Sequence, residues 1–276
     1  MHAKKKKKYM NLGKGIFAWA LSLVVIVPFL IVLLNALKSS NDALTMSLTL
    51  PKSIHWANFK KVWEVGNIPR SYLNSLILSG GSVTLSVFFA SLCAFVIARN
   101  KTKINRGIYI YFALGLMFPV NMITVVKVMR WFNFYNSQFG VVVLFTALIL
   151  PLSVFLYYGF ISSIPTEMDE AAIMDGAGAY RIFFQIIFPM VKPVTVTVIM
   201  INFLNTWNDF TVPLYLLPDP DKAVVVQQVY NFYGTFTASW NLVSVTILYA
   251  ILPILFVYIL GQKYIISGMV AGAVKG

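Results

Sequence analysis

The sequence predicts an all-α, polytopic membrane protein of six transmembrane helices, and three observations carry that expectation. Hydrophobic residues make up 59% of the 276-residue chain and charged residues 11%, against roughly 25% charged in a soluble domain. The apolar residues gather in runs of about twenty, the length that crosses a hydrocarbon core of roughly 30 Å. These runs are too long and too non-alternating for barrel strands, and backbone amides in lipid must be satisfied within their own segment, so each run should be a helix.

The first run, Ile16–Leu37, follows five lysines, Lys4 to Lys8. Such a basic arm also suits nucleic acid, but placed directly before an apolar run it reads as a cytoplasmic anchor flank. The run is longer than the ~7–15 residues of a signal-peptide core and no small-x-small cleavage site follows, so it should remain as the first span. The others are Ser71–Ala98, Gly107–Val126, Gly140–Ile161, Val191–Val212 and Leu242–Gly261. Pro28, Pro119 and Pro253 fall inside spans and should kink them. The second span carries Ser79, Gly80, Gly81, Ser82, Thr84 and Ser86, then Ala90, Ala94 and Ala98, small residues that let a neighbouring helix approach closely. Cys93 is the only cysteine, so no internal disulfide or thiolate zinc site can form.

The net charge of +13 sits mainly between the apolar runs, which fits membrane orientation better than nucleic acid. With the N-terminus inside, 14 basic residues lie in the cytoplasm and eight outside. The turn Arg99–Arg106, basic at four of eight positions, is the strongest vote. Both termini are therefore expected in the cytoplasm, with residues 1–15 a basic segment, 16–267 the membrane domain and 268–276 a tail.

Between the fourth and fifth spans lies a polar loop, residues 162–190. Pro165 suits a first helical turn, Thr166 and Asp169 have weak capping-box spacing, and Glu167, Asp169 and Glu170 favour the positive end of a helix dipole. Ala171 to Met174 extend that helix, Gly176 offers a left-handed stop, and Tyr180–Phe188 should form a second helix ending before Pro189.

At these residues the chain resembles the permease subunits of ATP-binding-cassette importers, whose signature loop has the form E-A-A-x-x-D-G-A followed, about a dozen residues on, by a proline. Glu170, Ala171, Ala172, Asp175, Gly176, Ala177 and Pro189 match it. Asn74-Ser75-Leu76, Trp207-Asn208-Asp209-Phe210 with Pro213-Leu214, and the terminal Ser267-Gly268 and Ala271-Gly272-Ala273-Val274-Lys275-Gly276 narrow the resemblance to the MalG-like permeases of carbohydrate importers. Residues 120–140 depart from the pattern, being slightly short and lacking a proline and a glycine. The resemblance implies a type I importer bundle in a bacterial cell membrane, with the loop as a coupling helix docked on a cytosolic ATPase. It implies as partners a second, MalF-like permease, two copies of the ATPase, an extracytoplasmic sugar-binding protein, membrane lipid, and a sugar or oligosaccharide. ATP and Mg belong to the ATPase chains and no cofactor to this one, which has no G-x-x-x-x-G-K-[ST] phosphate cradle.

In the fifth span Asn202, Asn205, and Asn208 or Asp209 recur at helical spacing, which places them on one face. That face suits a wet translocation route, with Trp207 and Phe210 stacking on sugar rings; it suits equally well a set of interhelical hydrogen bonds with an aromatic interface belt. In the outer loop, Gln227, Gln228, Tyr230 and Tyr233 are, by resemblance, candidates for contact with the binding protein.

A secondary transporter would normally carry intramembrane carboxylates or histidines for its coupling ion, whereas Asp209 is the sole ionisable side chain well within a span. A membrane-embedded hydrolase needs a clustered nucleophile, base or metal set, but the only histidines, His2 and His55, lie outside the spans. A non-catalytic permease subunit is the expectation.

Overall fold

The computed structural model describes residues 2–233 and 239–273, and the side chains of residues 14–15, 17–233 and 239–262. The main helices are α1 (His2–Ala36), α2 (Ala57–Val65), α3 (Ile68–Arg99), α4 (Lys103–Gly115), α5 (Met122–Trp131), α6 (Gln138–Ile161), α7 (Glu167–Met174), α8 (Lys192–Asn208) and α9 (Trp240–Ala273). No β-strand occurs among the described residues. Four segments are single helices long and apolar enough to cross a membrane: Phe17–Ala36, Ile68–Arg99, Gln138–Ile161 and Trp240–Gln262. A bent pair, Ala179–Met190 and Lys192–Asn208, turned by 74° at Val191, is long and apolar enough to count as a fifth if it is one broken span rather than a re-entrant loop.

The expected third span, Gly107–Val126, is not one helix. α4 ends at Gly115 and α5 begins at Met122. Pro119 has no amide to donate and biases Phe118 away from helical geometry, and Asn121 then restarts the helix by accepting from the Thr124 amide at 3.2 Å. Pro119 thus lies in a break rather than at a kink, whereas Pro28 and Pro253 stay inside helices. The fifth span closes at Asn208 instead of Val212, because Asp209 is extended and a separate short helix, Thr211–Leu216, follows.

The chain forms two compact units. The first comprises residues 1–68 and 228–251. Here the end of α1 is tied to the connection beyond it: Asn58 Nδ2 donates to Ala36 O and Lys38 O, both at 2.9 Å, and Asn58 Oδ1 accepts from Asn241 Nδ2 at 3.0 Å. Lys38 is buried, its Nζ donating to Asn35 Oδ1 at 3.0 Å and Ser47 O at 2.7 Å.

The second unit comprises residues 69–227 and 252–276. Its core follows from small residues on α3. Ala90 and Ala94 are fully buried against Val154, Tyr157 and Ile161 of α6 and Val194 and Val198 of α8. A methyl group on Gly81 would meet Val142 of α6 at 3.2 Å, so a larger residue would force these helices apart. Asn74 secures the start of α3: its Nδ2 donates to Asp221 O at 2.9 Å and Ala223 O at 3.0 Å, while its Oδ1 accepts from Gln138 at 2.8 Å.

Candidate functional site

The loop 162–190 is ordered by its own backbone and by one arginine. Thr166 precedes α7 but makes no side-chain cap, so the expected Thr166–Asp169 capping box does not form. Asp169 turns inward instead, because Arg99 at the end of α3 takes its carboxylate: Nε lies 2.6 Å from Oδ2, and Nη2 donates to Oδ1 at 3.4 Å. Through Nη1 the same guanidinium donates to Ile164 O at 3.0 Å and Ile161 O at 3.4 Å, satisfying carbonyls left over where α6 ends. One side chain therefore clamps the ends of α3 and α6 and the first turn of α7. In sequence Arg99 reads only as a topology marker; its place at the head of the basic turn Arg99–Arg106 carries no sign of its partner 70 residues on.

The Gly176 stop forms as expected. The Gly176 amide donates to Ile173 O and the Ala177 amide to Ala172 O, both at 2.9 Å, and Gly176 has φ +78°. This is the Schellman arrangement, with glycine at the left-handed position and an apolar residue on either side of the closure. It explains the motif in physical terms: Ala172 and Ala177 pack inward on the α3/α6 cluster, and Gly176 turns the chain between them.

What this leaves outside is a knob. Glu170, Ala171 and Asp175 are exposed, as are Ile173, Met174 (88%) and Tyr180 (81%). After it, the expected second helix Tyr180–Phe188 is instead a short α-turn, Ala179–Arg181, a π-helical stretch, Ile182–Ile187, and a last turn, Phe188–Met190. Pro189 cannot serve the carbonyl four residues back, Gln185, and the π-turn places that gap inside the wider register. The segment thus runs through Pro189 and bends at Val191. Ile182, Phe183 and Ile187 are buried, holding the base of the knob against the bundle.

The polar set of α8 is divided. Asn202 is buried and donates to Ser153 Oγ at 2.8 Å and Ser86 Oγ at 3.4 Å, while Ser86 donates to Ser153 at 2.9 Å. This triangle joins α3, α6 and α8. Trp207 is also buried, stacked on Phe203 at 5.2 Å and near Tyr72 at 6.2 Å. Asn205 and Asn208 are exposed, so Asn202 does not share their face. Asp209 is partly buried and its Oδ1 accepts from the Val212 amide at 2.8 Å, capping the helix Thr211–Leu216.

In the loop 213–241, Gln227 Oε1 accepts from the Val224 amide at 2.9 Å and Gln228 is buried. Tyr230 and Tyr233 are exposed, Tyr233 edge-on to Trp240 at 5.5 Å. Residues 234–238 of this loop lie outside the described residues, as do residues 274–276 and the side chains from 263 onward, and with them most of the terminal motif. Among the described residues no three His, Cys, Asp or Glu side chains come together as metal ligands.

Residues 83–270 match the family described as binding-protein-dependent transport system inner membrane component. Among curated relatives, the chain is 34% identical to the melibiose/raffinose/stachyose import permease protein MelC of Bacillus subtilis, over 91% of each chain. It is 32% identical to the probable starch degradation products transport system permease protein AmyC of Thermoanaerobacterium thermosulfurigenes, over 98% of this chain and 97% of that one. Among solved structures, it superposes with a TM-score of 0.80 on a chain of a bacterial ABC transporter involved in the import of the acidic polysaccharide alginate, at 21% identity and covering 93% of this chain and 96% of the other.

Proposed function

The chain belongs to the family of binding-protein-dependent transport system inner membrane components, and from that premise we propose that it is one of the two permease subunits of an ATP-driven importer of a sugar or oligosaccharide. The observation that carries the reading is the knob at 162–190: a Schellman-closed turn, clamped from behind by Arg99, that holds Ile173, Met174 and Tyr180 out toward another polypeptide. Exposed apolar side chains ringed by Glu170 and Asp175 suit a protein cleft with basic edges, here that of a cytosolic ATPase present in two copies, which would carry the ATP and Mg.

Coupling in this scheme is mechanical. Closure of the paired ATPases on ATP moves the docked knobs. Because Asp169, Ala172 and Ala177 bind the knob to α3 and α6, the displacement reaches the spans rather than being absorbed in the loop. The spans of this chain and of the second permease then open outward to a sugar delivered by an extracytoplasmic binding protein. Asn205 and Asn208 are the candidates on this chain for the solute route, with Asp209 beside them. Asn202 and Trp207, both sequence candidates for that route, fit better as helix-to-helix contacts. Tyr230 and Tyr233 remain candidates for the binding protein, together with Gln227 and Gln228. The protein is multi-pass in the cell membrane, and both termini are proposed to be cytoplasmic.

Purification from membranes in mild detergent, with identification of the copurifying chains, tests the assembly. A second permease, an ATPase and a binding protein that takes up a sugar are expected; isolation of the chain as a self-sufficient oligomer would contradict it.

A further inference from the structure

α4 ends level with the middle of a helix long and apolar enough to cross the membrane. Its last residue, Gly115, packs so closely on α6 that a methyl group there would meet Pro151 Cγ at 3.2 Å. α6 has 24 residues, and Pro151 lies about 2 Å along the axis from its centre. The non-helical stretch 116–121 therefore begins at mid-depth. α5 continues along the other half of α6, Met122 and Met129 packing in one cluster with Val141 and Phe145.

This break leaves main-chain groups without partners. Among the described residues nothing donates to the six carbonyls from Gly115 to Val120, and the amides of Phe118 and Val120 find no acceptor. Pro151 has no amide to return to Ala147 O, so α6 adds an acceptor at the same level. Residues 115–121 are all exposed. Hydrocarbon cannot satisfy such groups, and non-helical backbone at this depth persists only under protein or beside water. A covering helix has already used its own amides and brings few donors, whereas water and hydroxylated solutes are rich in them.

Between the break and α6 is a cavity of about 770 Å³, lined by Ala147 and Pro151 and by the rings of Tyr111, Phe112 and Phe118, among others. Aromatic faces beside carbonyl oxygens complement a sugar ring, which offers hydroxyl donors at its edge and C–H groups on its faces. We infer that this cavity is a subsite for one sugar ring on the solute route, its hydroxyls donating to the carbonyls of 115–120 and its face stacked on Phe118. The acceptors are main-chain atoms, so no polar side chain marks the site in the sequence. That the solute is a sugar rests on the importer reading; that the cavity is wet does not.

The test uses the assembled complex in lipid nanodiscs, which leave both faces open, in a Cys93→Ala background. Met117→Cys should react with a charged methanethiosulfonate about tenfold faster than Val24→Cys, because only a thiol in contact with water ionises readily; both positions are exposed, but Val24 lies within the unbroken apolar helix α1. Titration with the sugar carried by the copurifying binding protein should slow the Met117→Cys reaction saturably, about fivefold at four times the dissociation constant. Phe118→Ala should remove that protection while the thiol still reacts. Val120→Cys, also exposed, replaces Met117→Cys if the latter fails to assemble. Reaction as slow as that of Val24→Cys would overturn the site and put the break under another chain, and fast reaction without protection would leave a wet wall and no sugar subsite. A complex that carries a different solute on an ion gradient would sink the importer reading while leaving the fast reaction in place.

Discussion

Gly176 shows at the smallest scale how a motif letter becomes a physical requirement. A methyl group there would meet nothing within 4 Å, so the position is reserved for glycine by its φ of +78° and not by crowding. Gly176→Val should therefore cost about 1–2 kcal/mol locally and abolish uptake per assembled complex, while Gly176→Asn, tolerated in left-handed backbone, should keep part of it. Full transport by the valine variant would contradict the coupling role. The asparagines of α8 call for opposite outcomes from one substitution. Asn202→Leu breaks the triangle with Ser86 and Ser153 and should weaken the fold by roughly 0.6–2 kcal/mol, seen as a lower melting temperature in detergent. Asn205→Leu, on an exposed face, should leave melting unchanged and lower uptake if it lines the solute route; the reverse pattern would exchange the two roles. Helical spacing gave no means of separating these residues, because what distinguishes them is which neighbours offer hydroxyls, and Ser86 and Ser153 come from two other helices.

Among the elements, those set by local chemistry were legible in advance. The helix before Gly176, the stop itself and four of the six expected apolar spans follow from propensity, capping and length. What was not legible depended on distant partners. The expected cap on Thr166 fails because Asp169 has a better partner in Arg99, and the third span breaks because Phe118-Pro119 is followed by Asn121, a residue that can start a new helix. Residues 120–140, where the sequence departs from the importer pattern, begin at that break. The Arg99–Asp169 pair yields a further test. Arg99→Gln or Asp169→Asn removes a charge-assisted contact worth about 1.5–3 kcal/mol, and each should uncouple transport from ATP hydrolysis without loss of insertion. A double-mutant cycle on ATPase activity per complex should show strong non-additivity; additive losses would mean that the pair does not act as one clamp.

For the molecule as a whole, topology and energy source are the two claims that matter. In a Cys93→Ala background, a thiol at Ser53 or Asp219 should react with an impermeant reagent added outside whole cells and one at Lys103 should not; labelling at Lys103 alone would invert the orientation. In the second unit the knob is fixed to α3 and α6, an attachment that suits the proposed role of passing on work done by another chain. The most direct measurement of that claim is uptake of the sugar bound by the copurifying binding protein into proteoliposomes containing the purified complex, with ATP supplied on the knob side. Uptake should require hydrolysable ATP, ignore imposed proton and sodium gradients, and disappear in complex carrying Gly176→Val although all subunits remain assembled. Accumulation driven by an ion gradient in the absence of nucleotide would contradict the account.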